Sequence, residues 1–336
     1  MNKILQEQRT DIIMYVFQIY AALVSNSSSN DLGDTYSILA KSTLEDASNT
    51  DPEMRYLVPG QIKLLCSIMY KFPAFFENYF EHVFGLFEKV LATLKLESDA
   101  LELLSCIIEV FPLETIGELL VTATKAIFQH LYWYKSASRR KFIPEDFKKA
   151  VFVFSSRFIL NHGTERYMAL MDSVQKDMIF NFFEKHAHCI GKIGRNDPFR
   201  RNVLAAFCIF VIEVDSVANT PALHSIVQGL IENICPTSSF HKSFITYDDS
   251  SDMPVEYQTE TGSFDRASFQ PLYSITIRGE QKLPEGVENY TEYVLQCVQA
   301  LVGKQNQDFM EHVGKELTKE TQNYFTELLQ KYTISL

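Results

Sequence analysis

The chain has 336 residues, 46% of them hydrophobic, which is enough apolar material for two ordinary domains or one elongated array and excludes wholesale disorder. The formal net charge of −11 disfavours nucleic acid or an anionic membrane surface as partner, since both need basic surface, and suits a basic partner or a soluble acidic protein. MNKILQEQRTD at the start has no apolar core of a signal peptide, and no window approaches the roughly 18 uncharged apolar residues of a membrane span; a soluble, intracellular protein without membrane insertion is expected.

Helical periodicity runs at about 8–25, 35–46, 53–72, 77–95, 98–111, 113–134, 144–161, 164–189, 197–214 and 221–235, and resumes near 287–303 and 317–332 with a short helix between. In the first helix Ile12, Ile13, Val16, Phe17 and Tyr20 share a face that an earlier repeat would cover, so exposed apolar surface is expected there. Two later stretches superimpose at an offset of 39 residues: LLCSIMYKFP, Leu64 to Pro73, and LLSCIIEVFP, Leu103 to Pro112. Leu65, Ile68, Leu104 and Ile107 lie on the apolar stripes of these helices and should be buried. Each stretch ends on a proline, which disfavours helix for the residue before it and can open the next helix. In the helix near 197–214, Val203, Phe207, Phe210, Val211 and Val214 mark one buried face.

A period near 40 residues in an all-helical chain is the signature of HEAT-like repeats, whose helix pairs bury their apolar faces only by stacking. The alternative is two similar amphipathic helices in an ordinary bundle. The fold expected is all-α: a right-handed HEAT-repeat solenoid of antiparallel helix pairs, with one long ordered loop near the C-terminus. The divisions expected are helical repeats over 1–239, an acidic and aromatic inter-helix loop over 240–286, and closing helices over 287–336.

That loop carries Asp248, Asp249, Asp252 and Glu256, but also Tyr257, Phe264, Phe269 and Tyr273, anchors that disordered linkers lack. Tyr273, Ile275 and Ile277 alternate with Ser274 and Thr276, as an extended segment docked on one face does. Loops of this length are commonly functional. Two roles are open: a cap over apolar surface, or a contact for a partner.

Catalytic and metal chemistry find little support. Six cysteines, Cys66, Cys106, Cys189, Cys208, Cys235 and Cys297, include no C-x-x-C pair, so neither a disulfide framework nor a zinc knuckle is expected. In KHAHCIGKIG, Lys185 to Gly194, His186 and Cys189 would share a helix face at i, i+3 while His188 points away; two core-edge histidines and a buried thiol are expected rather than a metal site. GKIGR lacks the spacing of a phosphate-binding loop, no G-x-S-x-G elbow occurs, and the pair Asp248 and Asp249 lacks the burial that raises a catalytic pKa. No cofactor and no enzymatic activity are expected. The basic run KSASRRKF, Lys135 to Phe142, continued by Lys148 and Lys149, reads as a solvated inter-helix segment, with an acidic protein partner left open.

MPVEYQTETGSF, Met253 to Phe264, followed by SFQPLYSI, Ser268 to Ile275, resembles a segment of the CAS-type exportins of the importin-β superfamily, the re-exporters of importin-α. Tyr257, Gln258 and Thr259 match the family's Y-Q-T directly; Glu256 stands where the family has glycine, and extra residues occur at about Thr261 to Ser268. YVFQIYAALV at Tyr15 to Val24, LLSCIIEVFPLE at Leu103 to Glu114, IFQHL at Ile127 to Leu131 and the closing TELLQKYTISL at Thr326 to Leu336 are similar as well. The resemblance implies a C-terminal part of a longer receptor that shuttles between nucleus and cytoplasm. It implies importin-α and Ran-GTP as partners, with the main Ran site outside this chain, and no chemistry of its own. Within it, Tyr257, Gln258, Thr259 and Phe269 would anchor the loop, while Asp248, Asp249, Asp252 and Glu256 would face the partner. A HEAT scaffold of another assembly, of phosphatase or vesicle-coat type, is the competing expectation.

Overall fold

A computed structural model describes residues 13–28, 33–47, 57–136, 143–194, 197–235, 283–305 and 308–334. Every regular element among them is helical, and they form two units. Residues 240–282 of the acidic loop, with Asp248, Asp249, Asp252, Glu256, Tyr257, Gln258, Thr259 and Phe269 among them, lie outside the described residues.

The first unit holds α1 (Ile13–Ser25), α2 (Gly33–Ala47), α3 (Val58–Lys71), α4 (Phe80–Ala92), α5 (Glu97–Val110) and α6 (Leu113–Ser136). α1 packs on α3 and α3 on α5; α2 packs on α4 and α4 on α6. The helices thus fall into two rows, and each connection crosses from one row to the other. Leu65, Ile68, Leu104 and Ile107 are all fully buried, as the stripe requires. Phe72 and Phe111 end their helices in non-helical conformations, φ −133° and −108°, because the proline that follows each excludes the helical region. Pro73 then opens a 3-10 turn, Pro73–Phe76, and Pro112 immediately precedes α6.

Val16, Phe17 and Tyr20 are buried, not exposed: that face of α1 is the one laid on α3. The exposed apolar residues of this region are Ile19 and Leu23 on the other side of α1, and Ile38 on α2. Ile12 lies outside the described residues.

The second unit holds α7 (Glu145–His162), α8 (Thr164–Val174), α9 (Met178–His186), α10 (His188–Gly191), α11 (Arg200–Glu213), α12 (Pro221–Ile234), α13 (Tyr290–Lys304), α14 (Asp308–Glu316) and α15 (Lys319–Lys331). Two rows recur here: α7, α11 and α13 pack in succession, and α9 with α10 packs on α12, which packs on α14. Val203, Phe207, Phe210, Val211 and Val214 are buried. Phe183 meets Phe207 and Phe210 edge-on, with centroids 5.3 and 5.6 Å apart. The Asn289 side chain caps α13 by accepting from the backbone of Thr291 and Glu292, and Thr318 caps α15 through Thr321.

The helix expected over 164–189 is three helices. The chain becomes extended at Gln175 and left-handed at Asp177 (φ 58°), a conformation that Asp tolerates better than most residues. The Asp177 N–H donates to the Asp172 carboxylate across the break. α10 then turns directly against α12, where Gly229 lets the backbone of Ala187 approach closely; a side chain there would run into the Ala187 carbonyl. Asn233 fastens the crossing. Its Nδ2 donates to the carbonyls of Ile190 (2.8 Å) and Ile193 (3.0 Å), and its Oδ1 accepts from Arg200 Nε at 2.7 Å.

Candidate functional site

Three potential metal-ligating side chains from two helices of the second unit converge, the one such cluster among the described residues: Glu145, His188 and Cys189. Glu145 sits at the first position of α7, right after Pro144, where an acid complements the helix dipole. His188 and Cys189 stand on α10, which packs on α7. Cys189 Sγ lies 3.5 Å from Glu145 Oε1 and 3.6 Å from His188 Nε2, and His188 Nε2 is 3.7 Å from Glu145 Oε1.

His188 therefore faces Cys189 and does not point away. The expectation failed because the helix it assumed breaks at Ala187, which re-aims the residues that follow. His186 packs on the Phe182 ring, 5.0 Å between centroids. Glu145 had no signal in the sequence beyond its place in a first helical turn; only the fold brings it to His188.

Two lysines complete the cluster. Lys148 Nζ donates to Glu145 Oε2 at 3.0 Å, and Lys192 Nζ to Oε1 at 2.9 Å. Lys148, read as part of a solvated basic run, is thus largely buried in this ion pair. Burial pulls the Glu145 carboxyl upward, but the hydrogen bonds and charges of Lys192 and Lys148 overcome that and hold it at about 2. Burial, helped by the Glu145 charge, pushes the Cys189 thiol up to about 12. Burial and Lys192 lower His188. A thiol so far from ionisation is no nucleophile at neutral pH, so the cluster does not read as a catalytic Cys–His pair. All six cysteines are buried free thiols.

No described helix is long and apolar enough to cross a membrane. Two-row stacks of helices define the chain as a helical-repeat protein of the HEAT type, a class that works by presenting surface. The chain belongs to the family described as "CAS/CSE protein, C-terminus", whose model matches residues 1–332. Exportin-2 of Pagrus major and of Xenopus laevis are each 27% identical over 193 residues, which is 55% of this chain and 18% of theirs. The solved structure titled "The exportin Cse1 in its cargo-free, cytoplasmic state" has the same fold, with a TM-score of 0.62 at 20% identity over 98% of this chain. This chain spans 32% of that one.

Proposed function

We propose that this chain is the C-terminal part of a nuclear transport receptor that returns importin-α from the nucleus to the cytoplasm in a complex with Ran-GTP, and that it performs no chemistry. The observation that carries the reading is the family match over residues 1–332, nearly the whole chain. The names of the curated relatives and the Y-Q-T segment at Tyr257, Gln258 and Thr259 support it. On this reading residues 240–286 form an ordered loop between the repeats of 1–239 and the closing helices of 287–336, and the protein shuttles between the two compartments.

The test is a pull-down of importin-α by the full-length receptor containing this chain, with Ran loaded with GTP or with GDP. Retention of importin-α only with Ran-GTP, lost or weakened when this chain is deleted, is expected. Retention that ignores the nucleotide, or no retention at all, would overturn the transport reading and leave a scaffold of another assembly.

A further inference from the structure

We propose that Glu145, His188 and Cys189 form a binding site for a zinc-type divalent cation, with three protein ligands and a fourth position open to solvent. The argument begins with geometry. A tetrahedral ion with bonds of about 2.0–2.3 Å holds its ligand atoms about 3.3–3.6 Å apart. The three separations here are 3.5, 3.6 and 3.7 Å, so one ion would reach all three ligands with little movement.

The donor set is selective. One thiol sulfur, one imidazole nitrogen and one carboxylate oxygen suit zinc and its neighbours, whereas magnesium and calcium take oxygen ligands. The orientation is supported from behind. Lys148 holds Glu145 Oε2, leaving Oε1 turned to the cluster. The His188 ring also hydrogen-bonds the Lys185 backbone, and with Nε2 in the cluster this bond falls to Nδ1, which leaves the Nε2 lone pair for an ion. α10, which carries two of the ligands, is fixed by the Asn233 bonds to Ile190 and Ile193.

The site is also reachable. Cys189 is the buried floor, while the side chains of Glu145 and His188 keep 35% and 39% of their surface. Lys192, with 47% of its side chain exposed, places its ammonium on Glu145 Oε1. It is a tethered cation on the carboxylate oxygen that the ion would bind, and its side chain is open to solvent. Binding follows a balanced exchange: the Cys189 S–H bond breaks, the sulfur keeps the electron pair and bonds the metal, and the proton leaves to solvent. Affinity must therefore rise with pH.

The test uses the full chain, stripped by a chelator, titrated with cobalt(II) as spectroscopic probe and with zinc against a chromophoric competitor. One equivalent of cobalt should bind and give a thiolate-to-cobalt charge-transfer band. Cys189→Ser should abolish the band. His188→Ala, at a half-exposed position that tolerates truncation, should weaken zinc binding by about tenfold or more. Lys192→Met keeps the stem, removes the competing charge and should tighten binding, an effect that a purely structural ion pair would not produce. Circular dichroism reports whether each variant is folded. No metal uptake by the parent, cobalt uptake without the charge-transfer band, or unchanged affinity in His188→Ala would overturn the proposal.

Discussion

Tyr70 and Glu109 hold the same place in two successive repeats, 39 residues apart, and they touch: the Tyr70 hydroxyl donates to a Glu109 carboxylate oxygen at 2.5 Å. Beside it, the Cys106 thiol lies 3.7 Å from the backbone carbonyl of Cys66 in the same row. The repeat visible as a spacing in the sequence is therefore a physical contact between α3 and α5. A hydrogen bond to a charged acceptor contributes about 1.5–3 kcal/mol, less where partly exposed as here. Tyr70→Phe should lower unfolding free energy by about 1 kcal/mol, and Glu109→Gln should interact with it in a double-mutant cycle measured by urea denaturation. Strictly additive effects would show that the bond contributes nothing.

Leu104 has no exposed surface and lies in the face that α5 turns to its neighbours. Leu104→Ala should cost about 2–5 kcal/mol, the range for a packed core leucine. Thermal unfolding of the variant at an unchanged midpoint would contradict the packing.

Gly229 and Gly85 both sit inside helices, but a Cβ at Gly229 would meet the Ala187 backbone whereas one at Gly85 meets nothing within 4 Å. Gly229→Ala should destabilise by about 1–3 kcal/mol through forced separation of α10 from α12. Gly85→Ala should stabilise by up to about 1 kcal/mol through helix propensity alone. Denaturation midpoints moving in opposite directions are the expected result.

Glu145 has a folded-state pKa of about 2, below its ordinary 4.5, so folding favours its carboxylate. The stability this adds is complete above pH about 4.5 and is lost as the pH falls toward 2. Its partial exposure limits the contribution to about 1 kcal/mol. Glu145→Gln should therefore be less stable than the parent at neutral pH, with the gap narrowing on acidification. Urea midpoints at a series of pH values read this directly.

The acidic loop makes two separable predictions within the proposed function. Tyr257→Ala should lower stability by about 3–5 kcal/mol if Tyr257 is a buried anchor. Neutralising Asp248, Asp249, Asp252 and Glu256 together should leave stability nearly unchanged, slow association of the full-length receptor with its partner, and flatten the salt dependence. Equal association rates at low and high salt would leave the loop as a cap only.

The parts of the fold that were legible are those governed by local pattern. The burial of Leu65, Ile68, Leu104 and Ile107 follows from a stripe repeating every three to four residues, and the breaks at Phe72 and Phe111 follow from prolines. The break at Gln175–Asp177 was not legible, because neither Gly nor Pro marks it and the left-handed residue is an aspartate. The buried face of α1 was read correctly as apolar but assigned the wrong surroundings, since periodicity identifies a face and not what covers it. The Glu145 cluster was out of reach for another reason. His188 follows a second break, at Ala187, and Glu145 approaches from a different helix 44 positions before Cys189.

The Asn233 fork has a consequence for how this region comes apart. α10 is four residues long, too short to persist as an isolated helix, and the carbonyls of Ile190 and Ile193 find their donor on α12. Opening α10 then means breaking its bonds to α12, so the two helices are expected to open together although 40 positions separate Ile193 from Asn233. The cooperative unit here is drawn by a single side-chain amide within one row of helices, and its edges cut across the boundaries of the repeat.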